Sequence, residues 1–191
     1  MSLSIGQSRK AIAAEFRMRL ADRIQREFFN GGVLVVDRYH GYNRAPCALQ
    51  YCYAHLLRDV QDLEKEFPEQ LEIQQFVSAF APLLARAMQL RGLKLTGGQF
   101  AEQASQTHQE ILALAQAPAQ HPGIQKIQNI FREQSQRLFH WSKSPKIPAD
   151  NNRAERELRP LVIARKISFG SQSEAGARTR ETLMTVLHTL R

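Results

Sequence analysis

The sequence predicts an α/β protein, mostly helical, in which a run of helices is set between two basic segments. Three observations carry this. A short apolar stretch, Val33-Leu34-Val35-Val36, follows Gly31-Gly32 and ends in Asp37; a β-branched run of that length beside turn residues reads as a strand buried on both faces. From His55 to about Trp141, apolar residues recur at helical spacing and are broken by Gly and Pro. The charge is also uneven. Residues 1–60 carry nine Lys/Arg against five acids, residues 147–191 eight against five, and residues 61–146 nine against eight.

In chain order, residues 9–29 read as a helix with Ile12, Phe16, Leu20, Ile24 and Phe28 along one side, ended by Asn30-Gly31-Gly32. The strand 33–37 follows. Residues 39–46 read as a turn-rich connection closed by Pro46, and "ALQYCYA" (48–54) as a second short strand. Helices are expected over 55–67, stopping at Pro68; over 71–90, kinked at Pro82; over 100–116, after Gly97-Gly98; and over 124–141. These read as antiparallel helices joined by short turns. After "SPKIPAD", Asn151 and Asn152 are N-cap residues for a helix marked by Ala154, Leu158 and Leu161, with Pro160 expected to kink it. "ISFGSQSEAGAR" reads as a loop, and a last helix carries Leu183, Val186, Leu187 and Leu190.

A chain of 191 residues is long enough for a real core, and no apolar run approaches the ~20 residues that span a bilayer. Two cysteines, Cys47 and Cys52, make no disulfide framework, so a reducing cytoplasm is expected and a membrane is not. A net charge of +8 leans toward a polyanionic partner, of which nucleic acid is the commonest.

Two carboxylates draw the chemistry together. Asp37 ends a strand, where open α/β sheets carry their reactive groups, although Asp there also serves simply to cap a turn. Glu155 stands three residues after Asn152, close to a capping box, with Arg156 and Arg159 within a turn of it. Carboxylates suit hard divalent cations, and arginines suit phosphates. Cys52 and His55 have C-x-x-H spacing but no second pair, so a zinc site is not expected. His40 reads as a turn residue, and His108, His121 and His140 as surface groups. Phe139 and Trp141 read as closing the core of the helices.

The motifs "DRYHGYN", "CYAHLLRD", "NNRAERELRPLVIARK" and "FGSQSEAGAR", in this order, resemble the transposases of insertion sequence 66. The resemblance runs from about residue 30 to the end and weakens in the helical middle. It implies a DDE-type transposase with a ribonuclease-H-like core that cleaves and joins DNA ends with Mg²⁺ or Mn²⁺. By position, Asp37 would be the second acid of the triad and Glu155 the third. Glu157 is a nearby alternative, turned about 200° away on a helix. Asn152, Arg156, Arg159, Arg165 and Lys166 would contact DNA; His55 reads either as a DNA or substrate contact or as a satisfied, half-buried histidine. Residues 1–54 would then form the first part of the core, 55–145 a helical insertion, and 146–191 the return to the core.

One departure stands out. The only aspartate before Asp37 is Asp22, in a helical pattern. The expected fold is therefore an incomplete ribonuclease-H-like core lacking its opening strands, inactive by itself. An uncovered edge on the strand 33–37 would favour a homo-oligomer. The competing readings are a DNA-binding module that has lost chemistry, and a helical interaction domain in which both acids are caps. No helix-turn-helix or zinc finger supports the first, and the four ordered motifs speak against the second. A cytoplasmic, nucleoid-associated transposase fragment is the expectation.

Overall fold

Strand β1 (Val33–Val36) pairs in parallel with β2 (Ala48–Tyr51), in the register Val33↔Ala48 to Val36↔Tyr51. The protein is described by a computed structural model over residues 32–167 and 173–189, without the side chains of residues 161, 164, 165, 180, 181 and 184–189. The helix expected over 9–29, with Asp22, lies outside the described residues, as do Leu190 and the side chains of Val186 and Leu187 from the last apolar stripe. Backbone bonds from Ala48 N–H to Gly32 O (3.1 Å) and from Cys52 N–H to Val36 O (2.8 Å) extend the strand pair at both ends. Parallel strands need a crossover, usually a helix. Here residues 37–47 serve, through a 3₁₀ turn at His40–Arg44.

A two-stranded sheet is marginal by itself, and this one is held by what packs on it. Helices α1 (Tyr53–Glu66), α2 (Leu71–Gln89), α3 (Gly97–Gln116) and α4 (Pro122–Glu133) follow one another, each packed on the next. Their buried stripes join Val36, Leu49 and Tyr51 of the strands in one core. Its centre is aromatic. Tyr53 meets Phe131 and Trp141 edge-on at 6.2 and 5.7 Å, and Phe80 meets Phe131 at 5.1 Å. Edge-to-face pairing at these distances suits the ring quadrupoles. Phe139 and Trp141 are buried, as their place in the pattern implied.

Several boundaries differ from the sequence reading. β2 stops at Tyr51, and Tyr53 already opens α1, so "CYA" is not strand. Thr96, not the glycine pair, sets the start of α3. Its hydroxyl accepts from Gln99 N–H and Gln99 returns a bond to Thr96 N–H, a complete capping box that carries Gly97 and Gly98 into the helix. The helix expected to reach Trp141 ends at Glu133 and gives way to 3₁₀ turns at Ser135–Arg137 and His140–Lys143. The three histidines expected at the surface are half-buried. His108 stacks on Phe139 at 3.9 Å, His121 caps α4 by accepting from Gly123 N–H, and His140 lies against the β2 side chain Gln50 through its backbone.

Residues up to Asn151 form one compact unit and Asn152–Arg191 a second. The second holds α5 (Asn152–Ile167), which runs through Pro160, and α6 (Glu174–Thr189). The expected loop is therefore shorter. Ser173 opens α6, its carbonyl accepting from Ala177 N–H and its hydroxyl from Gly176 N–H, a cap strong enough to carry Gly176 into the helix.

Candidate functional site

Because β1 and β2 are parallel, their carboxyl ends lie at one edge of the sheet. Asp37 follows β1 there, and Cys52 follows β2. Asp37 is half-buried, and its Oδ1 accepts from Tyr39 N–H at 3.2 Å, a turn closed by an aspartate side chain. The capping role is thus real, but it uses one oxygen. The other takes no hydrogen bond among the described residues. Arg38 turns to an ion pair with Asp59 of α1, which anchors the strand end to the helix. Gly41 has a steric purpose: a Cβ there would run into the ring of Tyr39.

The chain comes back to this same edge after the four helices. Tyr53 N–H donates to Ala149 O at 2.9 Å, and Asn151 N–H to Cys52 Sγ at 3.4 Å. Cys52 is fully buried, and burial pushes its thiol up, with the charge of Asp150 adding to the effect. It is therefore a packing and hydrogen-bonding group rather than a nucleophile. His55 is half-buried in the first turn of α1, with its N–H bonded to Cys52 O at 3.2 Å.

Sequence reasoning passed over Gln50. It is completely buried in β2, donates to Tyr51 O (2.9 Å) and Leu138 O (3.0 Å), and accepts from His140 N–H (2.9 Å) and Trp141 N–H (3.2 Å). One amide side chain so ties the far end of the helical run to the strand. A polar residue inside an otherwise buried strand was the available signal.

The family model described as Transposase IS66 family matches residues 7–179. The chain belongs to the IS66 transposase family. No curated protein and no solved structure matches it. Membership makes DNA the partner of this transposase domain and places it among DDE transposases, which generally use divalent metal ions. Among the described residues no helix is long and apolar enough to cross a membrane.

The expected site residues of this IS66 domain fall in two places. Asp37 and His55 belong to the first unit; Asn152, Glu155, Arg156, Arg159, Arg165 and Lys166 belong to α5 in the second. At about 100° per residue, Asn152, Glu155, Arg156, Arg159 and Lys166 share one face of α5, within about 100° of arc. Glu155 is half-buried, while Arg156, Arg159 and Lys166 are exposed; the side chain of Arg165 lies outside the described residues. Glu157 stands on the other side of the helix, about 200° from Glu155. Among the described residues no group of three or more His, Cys, Asp or Glu could hold a metal ion.

Proposed function

We propose that this domain supplies the second and third acids of a DDE transposase site on a ribonuclease-H-like core, Asp37 and Glu155, for cleaving and joining transposon ends and target DNA. The observation that carries the reading is the half-buried Asp37 at the carboxyl edge of a parallel strand pair, with one oxygen held and the other open. The parallel pairing of β1 and β2 supports it further.

In this reading Asp37 and Glu155 hold Mg²⁺ or Mn²⁺. When bound, such ions polarise a phosphoryl oxygen and generate a nucleophile at neutral pH. Tyr39 N–H fixes the Asp37 carboxylate, and the Arg38–Asp59 pair holds the loop that bears it. Arg156, Arg159 and Lys166, on the face of Glu155, and Arg165 next to them, hold DNA phosphates; His55 and Asn152 contact the substrate. The domain acts in the cytoplasm, at the nucleoid, as part of a homo-oligomer, with a solution mass above the 21.8 kDa of one chain.

Iron-directed cleavage tests the shared site. Fe²⁺ bound in place of Mg²⁺, with ascorbate and peroxide, cuts the backbone beside its ligands. Cuts are expected near residues 37 and 155 together, and both should vanish in Asp37→Asn and in Glu155→Gln. Cutting at one position alone, or cuts that survive either substitution, would show that the two acids bind no common metal.

A further inference from the structure

We propose that Arg137, delivered by the end of the helical run, is a DNA-phosphate contact at the edge of the sheet that carries Asp37. The inference rests on the reading of DNA as partner. Arg137 closes the 3₁₀ turn Ser135–Arg137, far along the chain from the strands, yet its Nη1 donates to Asn43 Oδ1 at 2.7 Å and to Tyr51 Oη at 2.9 Å. Asn43 lies in the crossover between the strands, and Tyr51 is the last residue of β2, in register with Val36, the neighbour of Asp37. The guanidinium carbon is 5.8 Å from the Tyr51 ring centroid, near the outer limit of a cation–π contact, so the two hydrogen bonds fix its place.

Among the described residues three guanidinium side chains are half-buried, those of Arg38, Arg86 and Arg137, and the first two have counter-ions. Arg38, Arg86 and Arg178 are each neutralised by a carboxylate, from Asp59, Glu110 and Glu174. Arg132 donates through all three nitrogens, to the carbonyls of Ala115 and Ala117 that end α3 and to Asn129 and Gln128. Arg137 is half-buried, and both of its partners are neutral. Its Nε and Nη2 donate to no acceptor among the described residues. A charge partly removed from water without a counter-ion is costly unless an anion completes it. A guanidinium held at one nitrogen, with the rest of its planar fork open, is prepared for a phosphate, which it can take with two parallel bonds. A tether that served only to clamp the turn to the strand would need the two hydrogen bonds and not the charge.

The test separates charge from tether. Binding of the whole chain to a 20-base-pair duplex is measured against salt for wild type, Arg137→Gln and Arg137→Lys, with thermal melts alongside. Gln can keep a hydrogen bond to Asn43 or Tyr51 but carries no charge, and Lys keeps the charge. The log K against log salt slope should become shallower by about 0.9 in Arg137→Gln, one phosphate contact, and stay near wild type in Arg137→Lys. An unchanged slope in a folded Arg137→Gln would leave Arg137 a clamp only and overturn the proposal, while duplex binding by wild type would still support DNA as partner. No binding by wild type at low salt would overturn both. Should Arg137→Gln fail to fold, Asn43→Ala with Tyr51→Phe frees the guanidinium without removing its charge. Weaker binding at a similar slope is then expected, and unchanged affinity would overturn the proposal.

Discussion

Tyr53 opens the helical run and Ala149 closes it, and the two are joined by a 2.9 Å bond from the Tyr53 amide to the Ala149 carbonyl. The first amides of a helix have no acceptor within it. Here the returning chain supplies one, so the start of α1 and the end of the excursion are stitched together. The Tyr53 amide should therefore exchange with solvent as slowly as the buried interior of α1, for instance Val60, in a hydrogen-exchange NMR experiment. Exchange as fast as an exposed helix start would mean that the returning segment is detached in solution.

Gln50→Leu should lower stability by about 3 kcal/mol. The substitution leaves the His140 and Trp141 amides without their acceptor, and each orphaned buried group costs about 1–3 kcal/mol. Leu138 O is spared because Tyr53 Oη also donates to it, at 2.8 Å. Urea unfolding gives the value. A loss below about 1 kcal/mol would show that the segment re-forms its bonds elsewhere.

Stability should fall as the solution is acidified below about pH 6.5. Burial holds the imidazoles of His108 and His140 below the ordinary histidine value, and Lys143 pushes both the same way. A histidine lowered in the folded state is neutral in both states above its unfolded value. As pH drops through that value, the unfolded chain takes up the proton first, and the folded state loses ground until its own histidine titrates. His108→Phe, which keeps a ring against Phe139, should flatten the decline between pH 7.5 and 5. An unaltered profile would assign the acid sensitivity to other groups.

The purified chain, by itself, should neither nick nor join DNA with Mg²⁺ or Mn²⁺. A two-metal clamp needs more carboxylate ligands than Asp37 and Glu155, and Asp22 is the only aspartate before Asp37 in these 191 residues. Incubation with supercoiled plasmid checks this directly. Nicking that Asp37→Ala abolishes would show that the site completes itself in some other way.

Much of this was legible in the residues. The apolar run 33–36, its aspartate, the four helices and the helix of Glu155 all follow from local periodicity and from the Gly and Pro that punctuate it, because such signals are written within a few residues. The places where the reading slipped share a cause. β2 gives way to α1 at Cys52 because Cys52 N–H pairs with Val36 O and Tyr53 N–H with Ala149 O, choices made by partners distant in sequence. The helix expected to reach Trp141 stops at Glu133, and beyond it the amides of His140 and Trp141 bond to Gln50 on a strand. Half-burial of His108 likewise depends on Phe139 lying against it. Local pattern specifies which segments are helix and which are strand. Only packing decides where a segment exchanges its own hydrogen-bond ladder for a partner many residues away, since that exchange depends on which buried polar groups would otherwise go unpaired.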